Sequence, residues 1–107
     1  MEDIKILFGK KIRELRKEHK FTQSNLAEMV NVDDKHISCI ESGKNFPSAN
    51  LISKIAKALN VEIKDLFEFS YLQTPKNLKF EINNMIEKLD SEQLVLAYKY
   101  IRTFLLK

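Results

Sequence analysis

The sequence predicts an all-α protein, because apolar residues recur at helical spacing along almost all of its 107 residues. The chain contains only two Gly and two Pro, which leaves little material for loops. No segment alternates between apolar and polar side chains as a half-buried strand would. With 44% hydrophobic and 31% charged residues, the composition is that of a globular chain and not of a disordered one. We therefore expect seven helices.

Five of these helices are predicted in the first two thirds of the chain. The first covers about residues 3–19 and the fifth is a short helix over residues 62–67. Thr22 and Asp33 are suited to cap the second and third helices, and Pro47-Ser48 opens the fourth. Asn60 is suited to a left-handed turn at the end of the fourth helix. The side chains expected to face a common core are Ile4, Phe8, Ile12, Leu15, Leu26, Met29, Val30, Ile37, Ile40, Leu51, Ile52, Ile55, Ala56, Leu59, Leu66 and Phe67.

The domain organisation follows from a break after the fifth helix. Residues 1–69 are predicted to form one domain, residues 70–75 a connector, and residues 76–107 a C-terminal helical hairpin. Thr74-Pro75 reads as an N-cap followed by proline at the first helical position, which marks the start of the sixth helix.

The seventh predicted helix carries more apolar surface than docking on one small neighbour requires. It follows the capping-box segment DSEQ at residues 90–93 and is expected to reach the C-terminus. We expect this surface to form a homodimer interface, although packing against the rest of the same chain is an alternative. The interface residues are predicted to be Leu94, Tyr98, Ile101, Phe104 and Leu105.

The distribution of charge is more informative than the net charge of +3, which favours a nucleic-acid partner only weakly. Because Glu14 and Glu18 are interleaved with the basic residues of the first helix, a solvated face of mixed charge is also possible. The basic residues concentrated there, with one more in a later loop, are Lys10, Lys11, Arg13, Arg16, Lys17, Lys20 and Lys44.

Residues 22–43, TQSNLAEMVNVDDKHISCIESG, stop one helix and start another within a few residues. When Gln23 is counted as the first position, Ala27 is the fifth, where two steeply crossing helices leave room only for a small side chain. Asn31 is the ninth, where the chain must turn and positive φ is often needed. A helical hairpin could produce part of this pattern by chance, but the full pattern indicates a helix-turn-helix. The residues expected to lock its second helix against its first are Val32, Ile37 and Ile40.

The flanking segments strengthen this interpretation. FGKKIRELRKEHKFTQ before the turn and IESGKNFPSANLISKIAKALNVEIKDLF after it strongly resemble the phage-repressor and Cro-like helix-turn-helix family, also called the xenobiotic-response-element type. The resemblance covers about residues 8–67. It implies a five-helix, lambda-repressor-like domain that docks its third helix in the DNA major groove. Three departures from the family pattern are Lys20 and Asn31, where glycine is common, and Asp34, whose charge DNA phosphates would repel.

The resemblance also implies roles for individual residues. A lysine on the third helix can donate to guanine, an aspartate can accept from cytosine, and a serine can bond to either kind of base edge. Main-chain N–H groups in the loop after this helix are expected to contact phosphate, together with Lys44. Arg16 and Glu41 are expected to form a structural ion pair. The base-reading residues are predicted to be Asp34, Lys35, Ser38 and Cys39, and the phosphate-binding residues Thr22, Gln23, His36, Ser42, Lys44 and Asn45.

The sequence therefore predicts a sequence-specific, double-stranded-DNA-binding transcriptional regulator, a bacterial or phage repressor that acts as a homodimer on a palindromic operator. The alternative is an antitoxin or another protein-interaction module that captures a partner protein through the C-terminal helices. We expect no catalytic residue, metal ligand or cofactor, because no Gly-rich phosphate loop, metal-spaced His/Cys set or Ser-His-Asp set is apparent. Without an 18-residue apolar stretch or a cationic leader, we expect a cytoplasmic protein with no membrane partner.

Overall fold

The structure is a computed structural model that describes residues 3–106, and every regular element in that range is helical. The chain divides into two compact units, with the boundary between Gln73 and Thr74. No helix in residues 3–106 is long and apolar enough to cross a membrane. In chain order, the elements are α1 (Ile4–Glu18), α2 (Gln23–Met29), α3 (Asp34–Glu41), α4 (Ala49–Ala58), two 3-10 helices (Ile63–Phe67 and Ser70–Leu72), α5 (Pro75–Glu87) and α6 (Ser91–Thr103).

The first unit is built around one apolar core, to which each of its four α-helices and the first 3-10 helix contribute. Removing these large side chains from water is the main favourable contribution to the stability of this unit. Most of the predicted core is confirmed, and the residues that are fully buried are Phe8, Ile12, Leu26, Val30, Ile37, Ile40, Ile55, Leu59 and Leu66.

Three core assignments are wrong. Met29 is 51% exposed, because α2 ends at this residue and the following Val30 takes the core position. Phe67 is 38% exposed, since the 3-10 helix holds its ring at the rim of the core, 5.1 Å from the ring of Phe8. Ile4 is the first residue of α1 and is 53% exposed, because it precedes the part of the helix that packs on α3.

The predicted helix starts of the first unit are confirmed by their caps. The side chain of Thr22 accepts the N–H of Asn25 at 3.0 Å, and that of Asp33 accepts the N–H of Lys35 at 3.2 Å. Each of these bonds satisfies a donor that the first turn of a helix would otherwise leave without a partner. The predicted left-handed turn at Asn60 is also confirmed, with φ of 56°.

Part of the segment that the sequence predicts as a connector, residues 70–75, has regular structure. Residues Ser70–Leu72 form a 3-10 helix, and α5 already begins at Pro75, with Thr74 as its N-cap. The signal was missed because one 3-10 turn is too short to show a period in the sequence.

The second unit consists of α5 and α6, and neither helix contains a buried residue. Asp90 and Gln93 form the predicted capping box at the start of α6. The expectation that this helix reaches the C-terminus is wrong, because α6 ends at Thr103. Leu105 lies in the tight turn that follows, where its N–H donates to the carbonyl of Arg102 at 3.0 Å. Lys107 is outside the described residues.

Candidate nucleic-acid interface

The turn between α2 and α3 has the geometry of a helix-turn-helix. Asn31 adopts φ of 59°, the left-handed conformation that Asn tolerates better than most residues. The N–H of Val32 then donates to the carbonyl of Ala27 at 2.9 Å, which closes the turn. Ala27 is only 2% exposed, so a larger side chain would not fit between the two helices.

A buried ion pair holds α3 against the rest of the unit. Arg16 Nε lies 2.7 Å from Glu41 Oε2, and Arg16 Nη2 lies 3.0 Å from Glu41 Oε1. Arg16 Nη1 also donates to the carbonyl of Phe21 at 2.7 Å, and Gln23 Nε2 donates to Glu41 Oε1 at 3.1 Å. Both charged residues are 8% exposed, and this network connects α1, α2 and α3. It therefore fixes the position and rotation of α3.

The side of α3 that faces away from the core presents the predicted base-reading residues. Asp34, Lys35 and Ser38 are exposed and Cys39 is half-buried, whereas Ile37 is fully buried on the opposite side. Lys35, Ser38 and Cys39 follow Asp34 by one, four and five positions, and these spacings bring the four side chains to one side of the helix. We call Asp34, Lys35, Ser38 and Cys39 the outer face of α3.

The amino-terminal end of this outer face carries negative charge. Asp34 Oδ2 accepts a hydrogen bond from Ser24 Oγ at 3.1 Å, which connects α2 to the start of α3. The N–H of Lys35 donates to Asp33 and holds the pKa of that carboxyl below its usual value, so Asp33 is ionised at neutral pH. Lys35 is the cationic side chain of the outer face, and it lies next to the carboxylates of Asp33 and Asp34 in the first turn of α3.

The loop after α3 is held by the carbonyl of Cys39. The N–H groups of Lys44 and Asn45 donate to it at 3.0 and 3.3 Å, and Ser42 Oγ lies 3.1 Å from it. The N–H groups of Lys44 and Asn45 are therefore already paired within the loop, and the contact between main-chain N–H groups of this loop and phosphate stays a prediction. The side chains of Lys44 and Asn45 are exposed and remain available to a ligand.

The other predicted phosphate-binding residues lie near the ends of α2 and α3. Thr22 is the N-cap of α2, and its hydroxyl proton can still be donated while its oxygen accepts. Gln23 uses one amide N–H for Glu41 and has a second. His36 is half-buried on α3, whereas Ser42 is exposed as the C-cap of α3.

Two glycines and one tyrosine have structural roles in this unit that sequence reasoning missed. A Cβ atom on Gly9 would lie 2.4 Å from the carbonyl oxygen of Ile40, so α1 and α3 approach too closely for any other residue. Gly43 has φ of 82°, and its Cβ would lie 2.9 Å from the side chain of Ile6. Tyr71 binds to α1, and no local pattern in the sequence indicates this contact.

Comparisons with known proteins agree with this geometry. A helix-turn-helix family model matches residues 12–66, a range that contains the whole of α2, the turn and α3. The chain is 38% identical over 68 residues to control protein C.MunI of a Mycoplasma species. This match covers 63% of this chain and 92% of that protein. It is 32% identical over 87 residues to RstR, the transcriptional repressor of cryptic phage CTXphi in Vibrio cholerae, covering 81% of this chain and 78% of RstR.

The chain is also similar to a protein whose structure has been solved. The restriction-modification controller protein C.AhdI from Aeromonas hydrophila matches with a TM-score of 0.56 and 33% identity. The match covers 57% of this chain and 92% of that protein.

Proposed function

The chain belongs to the phage-repressor and Cro-like helix-turn-helix family of DNA-binding transcriptional regulators, and on that premise we propose that it represses transcription as a homodimer on a palindromic operator. The observation that carries this proposal is the outer face of α3, which presents four side chains of differing chemistry to solvent. The Arg16–Glu41 ion pair supports it, because a helix that reads bases must be held in one orientation.

We propose that this face reads base edges in the major groove. Lys35 is suited to donate to guanine O6 and N7, and Asp34 to accept from the amino group of cytosine. The carboxylates of Asp33 and Asp34 are repelled by phosphates, so they favour an orientation that directs this end of the helix to the bases. Ser38 can bond to a donor or an acceptor, and Cys39 can contact a thymine methyl group.

Contacts to phosphate would position this face without reading sequence. We assign them to residues on α3 or near it in the structure that present hydroxyl, amide, imidazole or ammonium groups. These residues are Thr22, Gln23, His36, Ser42, Lys44 and Asn45.

The second unit supports the homodimer. It comprises α5 and α6 without a buried residue, and it is shorter than about 40 residues, the length below which a chain usually needs a partner to be stable. One recognition helix also reads too little DNA for useful selectivity, and two-fold pairing would place two such helices about 34 Å apart. A groove of about 660 Å³ on this unit is suited to a second copy, and it is lined by Ile86, Leu94, Ala97, Tyr98, Ile101, Arg102, Leu105 and Leu106.

The experiment that tests the proposal is selection from random DNA duplexes at about 0.1 M salt, repeated at higher salt to obtain the slope of affinity against salt concentration. We expect a palindromic motif whose half-sites lie about one DNA turn apart. Salt-sensitive binding that enriches no motif would contradict sequence-specific regulation.

The apolar groove of the second unit supports a second candidate function, that of an antitoxin or another module that captures a partner protein. An exposed apolar groove fits an amphipathic helix of a partner as well as a second copy. This candidate predicts that the lone protein is monomeric and selects no DNA motif, and that a small protein encoded beside its gene binds to the second unit.

A further inference from the structure

Two neighbouring residues in the first turn of α2 contact the two ends of α3. Gln23 Nε2 donates to Glu41 Oε1 at 3.1 Å, at the last residue of α3. Ser24 Oγ donates to Asp34 Oδ2 at 3.1 Å, at the first residue of α3. Glu41 is buried, whereas Ser24 and Asp34 are exposed. The bond to Glu41 is therefore part of the interior of the unit, and the bond to Asp34 lies at the surface, where the outer face of α3 begins.

The backbone on both sides of the Ser24–Asp34 bond is held by helix caps. The side chain of Thr22 accepts the N–H of Asn25 at 3.0 Å, and the side chain of Asn25 accepts the N–H of Thr22 at 2.9 Å. Ser24 lies inside this capping box, and Asp34 directly follows Asp33, the N-cap of α3. Because both residues project from a fixed backbone, the hydrogen bond between them restricts the rotation of the Asp34 side chain.

This hydrogen bond leaves the carboxylate of Asp34 able to accept from a base. An ionised carboxylate can accept about four hydrogen bonds, and Ser24 supplies one donor. The amino group of cytosine is the kind of donor that would supply another. The hydroxyl proton of Ser24 is directed at Asp34 in this arrangement, so it is not directed at a phosphate.

A fixed acceptor discriminates between bases better than a mobile one. When cytosine faces it, the carboxylate does not have to lose side-chain freedom on binding. When a base that presents only acceptors faces it, two acceptors meet without a donor, and this contact is unfavourable. A mobile carboxylate would rotate away from such a base, but one held by Ser24 must first break its hydrogen bond. The restraint therefore favours the correct base and also penalises the wrong one.

We propose that Ser24 is a positioning residue for base selection, which holds the Asp34 carboxylate in the orientation that reads one base pair of the operator. This role rests on the base reading by Asp34 proposed above. Ser24 itself contacts no base, and it acts on selectivity through Asp34.

The test is titration of the protein against the selected site and against variants of that site with single base pairs replaced. Asp34→Ala identifies the base pair that Asp34 reads, as the position where discrimination is lost. For the wild type we expect discrimination of roughly fivefold to a hundredfold at that position. Ser24→Ala should reduce this ratio by about threefold to tenfold, because the carboxylate is no longer ordered before binding. The ratios at all other positions should stay the same.

Three further variants separate positioning from a general effect on folding. Ser24→Thr keeps the hydroxyl and should retain the discrimination of the wild type. Ser53→Ala removes an exposed serine hydroxyl from α4 and is the matched control, with no change expected at any position. In the Asp34→Ala background, Ser24→Ala should have no further effect on selectivity, since a double-mutant cycle isolates the coupling between the two residues.

The outcomes distinguish this proposal from the one on which it rests. Unchanged or greater discrimination in Ser24→Ala would overturn it. An equal loss of affinity at every position would also overturn it, because Ser24 would then support only folding or phosphate contact. If the wild type selects a motif but Asp34→Ala alters no base position, the role of Ser24 fails and the regulatory function stands. If the wild type selects no motif, both fail. Loss of discrimination at the Asp34 position alone, with recovery in Ser24→Thr, supports both.

Discussion

At the scale of single residues, the Arg16–Glu41 pair shows how a charge arrangement determines the geometry of a binding surface. The two side chains are nearly excluded from solvent, and their bonds extend to Phe21 and Gln23. A buried pair of this kind contributes orientation more reliably than stability, because desolvation offsets much of the attraction between its charges.

Removing one partner of this pair should be costly. We expect Arg16→Met to lower the free energy of unfolding by about 3–5 kcal/mol, since it leaves the Glu41 carboxylate buried beside an apolar side chain. The double variant Arg16→Met/Glu41→Leu should recover most of this loss. The free energy of unfolding of both variants is measured by urea unfolding. The control is Lys64→Gln, which breaks an exposed ion pair with Glu62. We expect this control to change the free energy of unfolding by no more than about 0.5 kcal/mol. A loss below about 1 kcal/mol for Arg16→Met would contradict the account.

Lys35 and Lys44 should affect DNA binding in different ways. We expect Lys35→Gln to weaken binding to the selected site by about 1–3 kcal/mol and to relax selectivity at one base position. Lys44→Gln should weaken binding to all sequences similarly and reduce the salt slope by about one unit. Titration of both variants against the selected site and single-base variants of it distinguishes these effects. The assignment of Lys35 to base reading is wrong if its variant loses affinity uniformly.

At the scale of elements, the sequence predicts what local chemistry controls and misses what tertiary contacts control. The caps at Thr22 and Asp33 and the turn at Asn31 were predictable, because each depends on a residue and its near neighbours. Met29 matches the helical period but is exposed, since the helix ends there. The contact of Tyr71 with α1 joins residues about 60 positions apart, which no local pattern reveals.

The turn that follows α1 contains a residue whose replacement should stabilise the protein. Lys20 has φ of 59° and its N–H donates to the carbonyl of Lys17 at 2.9 Å, so its backbone is left-handed although it carries a Cβ atom. We expect Lys20→Gly to raise the free energy of unfolding by about 0.5–1 kcal/mol, because glycine adopts this conformation without strain. The matched control is Lys54→Gly at an exposed position in the middle of α4, which should cost about 1 kcal/mol. Destabilisation by Lys20→Gly in urea unfolding would show that the strain is negligible.

At the scale of the whole molecule, the candidate site was predictable because its residues lie within one local motif. The outer face of α3 follows from the spacing within the helix-turn-helix once the turn is placed. The sequence did not predict the hydrogen bonds of the loop after α3, where the N–H groups of Lys44 and Asn45 donate to the carbonyl of Cys39. The extent of exposed apolar surface on α6 was expected, but the helix end at Thr103 was not.

The proposed dimer interface predicts a change of oligomeric state when its apolar residues are replaced by charged ones. Ile101 and Leu105 line the groove of the second unit, and a charge at each position would have to be buried in a dimer that uses it. We expect Ile101→Glu/Leu105→Glu to be a folded monomer by light scattering after size-exclusion chromatography. Asn83→Glu/Asn84→Glu, at two exposed positions of α5 outside the groove lining, is the matched control and should remain dimeric. A persistent dimer in the Ile101/Leu105 variant would exclude this interface.

The most direct test of homodimeric operator binding compares affinities for the selected palindrome and for a duplex that contains one half-site, using the wild type and the Ile101→Glu/Leu105→Glu variant. We predict that the wild type binds the palindrome at least about 10²-fold more tightly than the half-site, because the second contact becomes intramolecular. The variant should bind both duplexes with the weak half-site affinity. Equal affinity of the wild type for the two duplexes would contradict the account.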